Sequence, residues 1–350
     1  MDYVRIEDLQ EGMIAGENVF CDDSGKLLIT AGTKLTHSSI NSLKKRKNTT
    51  PQIGIADRYT IHVEPIQTTS NIIKEQINIK TEQLAPSRVE SNKSDEMVKV
   101  SARAREIGAK LAENKRIAEF CMEMRILQDG YLFHHAINTC VMALLVGGAM
   151  GLDYDELLTL GQGALLHDIG YREMPSLIHK KERTPQEEAL WREHPNYGYY
   201  LAREVGFSDQ VCAIIQNHHE QWDGNGFPRQ YRTVGIPKLA RIVSVCDMYD
   251  YLIRNQGLLP HYAIEHLYGT GNVVFDGNVI NAFVNNLAVY PLGALVRLST
   301  GEVGLVVNVR HNMGPRPVVM VYYNRVNRLL TSPKELDLGK HQTVFIEEVL

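Results

Sequence analysis

The stretch Leu165-Leu166-His167-Asp168-Ile169-Gly170 places an adjacent histidine and aspartate at the end of an apolar run. Leu157, Leu160 and Ala164 recur before this pair with the period of an α-helix, and the glycine that closes the stretch is a residue type that ends helices. Imidazole and carboxylate groups are the ligands of catalytic divalent metals. The stretch therefore predicts a metal-binding pair at the end of a buried helix.

Five more histidines and aspartates extend the pattern on both sides of this pair. Successive members lie roughly 24 to 32 residues apart, which is about the length of one helical hairpin. They are His135, His194, His218, His219 and Asp247. A single histidine in a helix is usually a core or surface residue, but a spaced set beside apolar helical runs favours inward-facing ligands. We therefore predict a helical bundle that presents these side chains to a multi-metal site.

The chemistry expected of such a site needs a carboxylate that bridges two cations. Asp168 can bridge, while His167 binds one ion. Two cations clamp a phosphodiester and lower the pKa of a bridging water, so a metal-bridging hydroxide is the expected nucleophile. His134 precedes His135, but only one of two consecutive helical residues points inward, and the phase of Val141 and Leu145 favours His135.

Composition narrows the function classes. Hydrophobic residues make up 44% of the 350-residue chain and charged residues 22%, which is typical of a globular protein. The net charge of −4 provides no broad basic field, so we expect no nucleic acid polymer as a partner. The N-terminus lacks a signal-peptide profile, and the most apolar stretch, residues 140–152, is too short to span a bilayer. We predict a cytoplasmic protein without a membrane span.

The chain divides into four predicted regions and is mainly α-helical. Residues 1–64 read as a small N-terminal α+β module, and the polar residues 65–97 as a linker or a solvated or dimer-forming helix. Residues 98–290 carry the helical periodicity. Residues 291–350 change to strand-like segments, near 294–298, 303–309, 318–322 and 345–349, and predict a small β-barrel.

A longer motif then points to a known family. His167-Asp168-Ile169-Gly170 and His194-Pro195 precede the string His218-His219-Glu220-Gln221-Trp222-Asp223-Gly224-Asn225-Gly226-Phe227-Pro228. In order and spacing, from about residue 100 to 290, these motifs resemble the HD-GYP subgroup of the HD phosphohydrolases. The first 60 and last 60 residues also resemble modules that are attached to such proteins.

The resemblance implies an all-helical HD-type bundle and a phosphodiesterase that hydrolyses cyclic di-GMP, to the linear dinucleotide or to GMP. It places two divalent metal ions, iron or manganese, on the family's ligand positions. These positions are His135, His167, Asp168, His194, His218, His219 and Asp247. Some members hold a third metal through a glutamate one turn before the first histidine, and Tyr131 occupies that position here.

The chain departs from the family at positions that meet the substrate. Tyr171 replaces a lysine that faces the substrate phosphate, and it can donate a hydrogen bond but brings no positive charge. Phe227 replaces the tyrosine of Gly-Tyr-Pro, and residues 257–262 replace a basic segment, with Arg254 nearby. Beside the metal ligands we predict Asp168 and Tyr171 as catalytic residues. The predicted substrate-binding residues are Tyr171, Asp223, Gly226, Phe227 and Arg254, and the predicted partner-contacting turn is Gly226, Phe227 and Pro228.

Two functions of different classes remain open. The leading hypothesis is a metal-dependent phosphodiesterase acting on cyclic di-GMP or a related cyclic dinucleotide. The alternative is a weak or inactive HD-GYP protein that acts as a cyclic-dinucleotide or partner-binding adaptor. Protein partners at the glycine-rich turn or the N-terminal module, and a homodimer, are further predictions.

Overall fold

The protein is described from a computed structural model that forms two compact units, Met1–Pro65 and Ile66–Leu350. In the second unit the structure describes residues 66–85, 94–126, 130–178, 180, 182–309 and 315–350. In the first unit it describes residues 2–5, 9–10, 13, 19–20, 27–29, 35, 37–44 and 52–55. The domain boundaries predicted from the sequence stay predictions.

The first unit contains both strands and a helix. Strand β1, Asp2–Arg5, pairs antiparallel with β4, Gln52–Ile55. Strand β2, Val19–Phe20, pairs antiparallel with β3, Leu27–Ile29, and helix α1 spans His37–Lys44. Residues 21–26, between β2 and β3, lie outside the described residues.

The second unit is mainly helical, which confirms the predicted fold class in its larger part. Its described residues form eleven α-helices. They are α2 Ile66–Leu84, α3 Ser94–Glu113, α4 Lys115–Ile126, α5 Tyr131–Ala149, α6 Tyr154–Leu166, α7 Pro185–Trp191, α8 His194–Glu204, α9 Asp209–Asn217, α10 Lys238–Arg254, α11 Pro260–Gly269 and α12 Gly277–Asn286.

Helix α5 is the centre of the bundle. It packs against α2, α3, α4, α6, α10 and α12 and is apolar on most of its faces. Its length and apolar composition would allow it to cross a membrane, but 78% of its apolar window is buried inside the protein. Gly147 allows α6 to approach closely, because a Cβ there would lie 2.7 Å from a methyl carbon of Leu160. This packing fixes α5 and α6 relative to each other beneath the site.

Helix α2 lies within the polar region that the sequence interprets as a linker or helix. Ile73 and Ile77 are fully buried although the helix is polar overall. Gly108 of α3 lies against Ile77, since a Cβ at that glycine would be 2.4 Å from Ile77 Cγ2. Two buried isoleucines one turn apart give this polar helix an apolar face that packs on the bundle.

Local signals fix the ends of the helices that carry the site. Helix α6 begins with a capping box, in which Asp153 accepts from the Glu156 amide at 2.8 Å and Glu156 accepts from the Asp153 amide at 3.0 Å. Helix α9 begins after Ser208, whose hydroxyl accepts from the Val211 amide. These starts place His167 and His218 immediately after the last turns of α6 and α9.

The C-terminal residues form a five-stranded antiparallel sheet in the order β8-β7-β6-β5-β9. The strands are β5 Leu295–Leu298, β6 Val303–Asn308, β7 Val318–Tyr323, β8 Leu329–Asp337 and β9 Ile346–Val349. Within the described part of this region the sheet is open between β8 and β9, so the predicted barrel is not confirmed. Strand β8 was missed by the sequence reasoning, because this edge strand is mostly exposed and polar.

Candidate metal centre

The seven histidines and aspartates singled out in the sequence come together at one place in the bundle. They form three overlapping groups in which all candidate ligand atoms lie within 4.8 Å of one another. The groups are Asp168, His194, His218 and His219; His135, His167 and Asp168; and His167, His218 and Asp247. Asp168 belongs to the first two groups and therefore joins them. His134 is exposed while His135 is buried, as the helical phase predicts.

Helix ends orient three of the histidines. The Nδ1 atoms of His167, His194 and His218 lie 2.7–2.8 Å from backbone carbonyls three residues earlier, those of Ala164, Trp191 and Ile215. These carbonyls belong to the last turns of α6, α7 and α9, where no intrahelical donor remains. Each Nδ1 must donate to its carbonyl, so the hydrogen bond that satisfies the helix end also turns Nε2 towards the centre.

A buried carboxylate orients the fourth histidine. His135 Nδ1 donates to Asp250 Oδ2 at 2.7 Å, and Asn138 Nδ2 donates to Asp250 Oδ1 at 2.7 Å. Asp250 is only 5% exposed. A carboxylate behind a ligand histidine fixes the ring and makes it a stronger ligand.

The four Nε2 atoms meet in pairs. His135 Nε2 lies 3.2 Å from His167 Nε2, and His194 Nε2 lies 3.4 Å from His218 Nε2. When the rings are neutral, as metal binding requires, all four Nε2 atoms are unprotonated, because Nδ1 already carries the hydrogen. Two lone pairs at such distances repel each other unless a cation lies beside them. The donor set therefore fits bound cations.

Asp168 turns one oxygen towards each pair. Its Oδ2 lies 3.6 Å from His135 Nε2 and 3.4 Å from His167 Nε2. Its Oδ1 lies 3.4 Å from His194 Nε2 and 3.6 Å from His218 Nε2. This is the arrangement that a carboxylate shared by two cations requires.

Asp247 and His219 complete the set on the side of the cavity. Asp247 Oδ1 lies 3.1 Å from His135 Nε2 and 3.9 Å from His167 Nε2, and its Oδ2 lies 4.0 Å from His219 Nδ1. The side chains of Asp247 and His219 are 13% and 23% exposed, whereas His167, His194 and His218 are fully buried. The open side of the centre is therefore the side of Asp247 and His219.

The protonation states of His167, His219 and Asp168 suit metal binding, whereas His135 must first lose a proton. Burial lowers the pKa of His167, and burial together with His218 and His194 holds the pKa of His219 well below its usual value, so both rings are neutral. Burial alone would raise the pKa of Asp168, but His167, His194 and His218 outweigh it and hold the carboxylate ionised. His135 differs, because its hydrogen bonds to Asp247 and Asp250 outweigh burial and raise its pKa well above the ordinary value.

Comparison with known families identifies the domain that contains this centre. A family model described as "HD domain" matches residues 99–279, just over half of the chain. The chain belongs to the HD-domain family. A second model, "KOW domain associated with HD domain", matches residues 295–350, which hold the C-terminal sheet.

Two curated proteins are similar to the part of the chain that holds the HD domain. The cyclic di-GMP phosphodiesterase PA4108 of Pseudomonas aeruginosa is 32% identical over 222 residues, which cover 61% of this chain and 53% of the relative. The cyclic di-GMP phosphodiesterase PdeB of Borreliella burgdorferi is 24% identical over 224 residues, covering 62% and 57%. The chain thus spans about half the length of these relatives.

A solved HD-GYP structure is also similar. It is the protein Bd1817 of Bdellovibrio bacteriovorus, with 21% identity, a TM-score of 0.43, and coverage of 81% of this chain and 98% of that one.

A cavity of about 290 Å³ opens onto the metal centre of the HD domain. Metal-centre residues form its floor, and aromatic side chains form much of its wall. The described lining residues are Tyr131, Leu132, His135, Asp168, Tyr171, Ile178, Arg183, Trp191, His219, Gln221, Phe227, Asp247, Met248, Tyr251 and Asn255.

Tyr171 is fixed between the centre and the cavity. Its ring stacks on His194 with centroids 4.4 Å apart and an interplanar angle of 11°. Its hydroxyl accepts a short hydrogen bond from Trp191 Nε1. Burial, with the charge of Asp168, raises the pKa of Tyr171 well above its ordinary value. Tyr171 is therefore a neutral phenol whose own hydrogen remains available for donation.

The other predicted substrate-binding residues divide into two groups. Phe227 lines the cavity and stacks on His219 with centroids 4.8 Å apart. Asp223, Gly226 and Arg254 are not among the described lining residues. The Asp223 carboxylate accepts hydrogen bonds from Asn225. Arg254 Nε lies 3.9 Å from Asp250 Oδ2, behind His135.

The glycine-rich turn is held by its own backbone contacts. A Cβ at Gly226 would lie 2.3 Å from the Gln221 amide nitrogen, so the turn tolerates only glycine there. Gly224 has φ +84°, in the left-handed region. The carboxylate of Glu220 accepts from the amides of Arg229 and Tyr231 and ties the far end of the loop down. Pro228 follows Phe227 on this turn, next to the cavity.

Among the site residues that sequence reasoning missed are Asn138, Arg183, Trp191 and Asp250. Asp250 carried a usable signal, because it lies one turn after Asp247 on α10 and so shares its face. Asn138 lies one turn after His135 in the same way. Trp191 and Arg183 carried none, since α7 and the segment before it reach the cavity only through the tertiary fold.

Proposed function

We propose that this chain is a metal-dependent phosphodiesterase that hydrolyses a cyclic dinucleotide, with cyclic di-GMP as the first candidate. The observation that carries the proposal is the pairing of four Nε2 atoms around both oxygens of Asp168, beside an open cavity. The names of the two curated relatives, both cyclic di-GMP phosphodiesterases, support the substrate class.

Two divalent ions, iron or manganese, fit the two halves of the centre. His135, His167 and Asp168, with Asp247 adjacent, would hold one ion, and Asp168, His194, His218 and His219 would hold the other. Imidazole with carboxylate suits such transition metals. Bound there, the ions would polarise the phosphoryl oxygens and lower the pKa of water.

The residues of the chain orient the substrate. The neutral hydroxyl of Tyr171 donates a hydrogen bond to a phosphate oxygen, and its raised pKa makes it a donor that keeps its proton. Its own acceptor site is filled by Trp191, which fixes the direction of the donated hydrogen. The side chains of Phe227 and Trp191 form an apolar part of the cavity wall that can contact the guanine bases and excludes water there.

The test is a product assay on anaerobically purified protein loaded with iron or with manganese. Cyclic di-GMP, cyclic di-AMP and cyclic GMP-AMP are supplied separately, and the linear dinucleotide and the mononucleotides are quantified. We expect at least one substrate to be cleaved by the wild type, and the Asp168→Asn variant to cleave none. Protein with full metal content that cleaves none of the three would overturn the proposal.

One observation favours a second function, binding without turnover. Tyr171 supplies no positive charge, and losing a phosphate-facing cation commonly lowers the rate about 10²–10³-fold. Tight binding of cyclic di-GMP to metal-loaded protein without any product would identify an adaptor instead of an enzyme.

We also propose a cytoplasmic location, with α5 as a core helix. Protein partners at the turn Gly226, Phe227 and Pro228, or at the N-terminal unit, and a homodimer are retained as proposals. Analytical ultracentrifugation of the full chain with and without cyclic di-GMP tests the homodimer: a monomer under both conditions would exclude it.

A further inference from the structure

The cavity of the HD domain is lined mainly by aromatic, apolar and metal-centre side chains, yet the proposed substrate carries two phosphate charges. Arg183 is the one arginine or lysine among the described residues that line this cavity. It lies in the segment before α7 and is not one of the residues that the sequence predicted to bind substrate. The carboxylates of Asp168 and Asp247 also line the cavity but belong to the metal centre, so outside that centre Arg183 is the one charged side chain among the described lining residues and can pair with an anionic group of the ligand.

Arg183 is held rigidly against the aromatic wall. Its guanidinium carbon lies 4.5 Å from the centre of the Trp191 ring, and its Nη2 donates to the Leu177 carbonyl at 3.3 Å. Trp191 is itself hydrogen-bonded to Tyr171. A stacked guanidinium loses little freedom when it binds an anion, because its plane is already fixed.

The hydrogen-bonding capacity of Arg183 is not used up. Its Nε is buried and has no hydrogen-bond partner among the described residues. The two Nη atoms contact only the Leu177 carbonyl and Glu188 among the described residues, so the outer edge of the guanidinium keeps donors for a ligand oxygen. The side chain as a whole is 19% exposed, so a ligand in the cavity can reach it.

The neighbouring charges leave a positive excess at this wall. Glu188 lies 3.5 Å from Arg183 Nη1, but the same carboxylate also lies 3.2 Å from Arg192 Nε. The Arg192 guanidinium carbon lies 5.2 Å from the centre of the Phe227 ring. One carboxylate that is 38% exposed therefore faces two guanidiniums, and an exposed pair of this kind is weak.

We propose that Arg183 binds a phosphate group of the cyclic dinucleotide and supplies the positive charge that Tyr171 does not. The inference rests on the proposed function, since it assumes a cyclic dinucleotide in this cavity. Arg183 acts as a substrate-binding residue: it donates hydrogen bonds to phosphate oxygens while Tyr171 donates from the adjacent wall.

The experiment compares three variants of the full, metal-loaded chain with the wild type. Arg183→Gln removes the charge, and Arg183→Lys keeps the charge but loses the planar fork. Arg203→Gln is the matched control, because Arg203 also lies over a ring, that of Tyr199 at 5.8 Å, and pairs with Asp209 at 2.6 Å, but it does not line the cavity. Metal content and melting temperature are measured for each variant. The readouts are kcat, KM and the equilibrium Kd for cyclic di-GMP, at low and high salt.

We expect Arg183→Gln to weaken binding and lower kcat/KM by about 10- to 100-fold, the usual effect of a hydrogen bond to a charged group. Its KM should also depend less on salt than that of the wild type. The kcat/KM and Kd of Arg183→Lys should lie between those of the wild type and Arg183→Gln, and those of Arg203→Gln should match the wild type. A role for Arg183 in local packing alone would lower the melting temperature without changing the salt dependence.

The outcomes separate the two proposals. If the wild type binds or cleaves cyclic di-GMP and Arg183→Gln does so equally well, the inference about Arg183 is wrong and the proposed function stands. If the metal-loaded wild type neither binds nor cleaves any of the three cyclic dinucleotides, the proposed function fails and the role of Arg183 fails with it.

Discussion

Replacing Asp250 with asparagine should weaken metal binding without removing any ligand of the centre. The substitution keeps the size of the side chain and removes its charge. The new amide oxygen can still accept from His135 Nδ1, and its nitrogen can donate to the amide oxygen of Asn138 if that side chain rotates. The geometry is thereby preserved, so the variant isolates the contribution of the negative charge behind His135.

The magnitude follows from the hydrogen bond that the variant weakens. His135 donates to the Asp250 carboxylate at 2.7 Å in a site that is 5% exposed, which is the setting of a strong, charge-assisted bond. Such bonds contribute about 1.5–3 kcal/mol. Loss of partners behind metal ligands typically costs about 10- to 100-fold in metal affinity or activity, which agrees with that free energy. We expect a loss in this range for the ion nearest His135.

The assay is competitive titration of Mn²⁺ against a chelating dye. The matched control is Asp276→Asn, because Asp276 is also 5% exposed and paired, with Arg241 at 2.7 Å, but lies away from the centre. The control should lower the melting temperature and leave metal affinity unchanged. If Asp250→Asn binds two Mn²⁺ ions as tightly as the wild type, the view that this carboxylate strengthens His135 as a ligand is refuted.

Three further predictions concern the same centre. Asp168→Asn should reduce the bound metal in both halves of the centre, since each half uses one oxygen of Asp168. Elemental analysis measures the metal content, and the loop variant Asp223→Asn, as the control, should keep the full amount. The raised pKa of His135 keeps a proton on this ring, and Mn²⁺ must displace that proton to bind, so the apparent affinity for Mn²⁺ should fall as the pH is lowered through that pKa. Calorimetry in buffers of different ionisation heat measures the number of protons released on binding. If no proton is released at any pH, this prediction is wrong. Gly170→Ala should destabilise the fold by about 3 kcal/mol, because its Cβ would lie 1.9 Å from the His194 carbonyl oxygen; Gly235→Ala, with open space around its Cβ, should be neutral in urea unfolding.

The seven converging residues could be predicted from the sequence, because they stand at helix positions that the sequence pattern identifies. His167 and His218 directly follow apolar helical runs, at the ends where carbonyls lack partners, and they orient themselves on those carbonyls. His135 could be chosen over His134 from helical phase alone. These signals are local, so they can be recognised in the sequence without knowledge of the tertiary fold.

The parts that the sequence did not predict depend on tertiary structure. Arg183 and Trp191 reach the cavity only because the segment before α8 folds back over the centre. Arg254 lies close to Asp250 rather than on the cavity wall, which sequence proximity to a replaced basic segment did not reveal. Strand β8 has no apolar alternation because only its last residues are buried, and whether a sheet closes depends on pairing between strands distant in sequence.

Anomalous diffraction from crystals loaded with manganese would locate the bound ions directly. We expect two peaks that both contact Asp168, one beside His135 and His167 and the other beside His194 and His218. A single peak, or peaks that lie away from Asp168, would contradict this expectation.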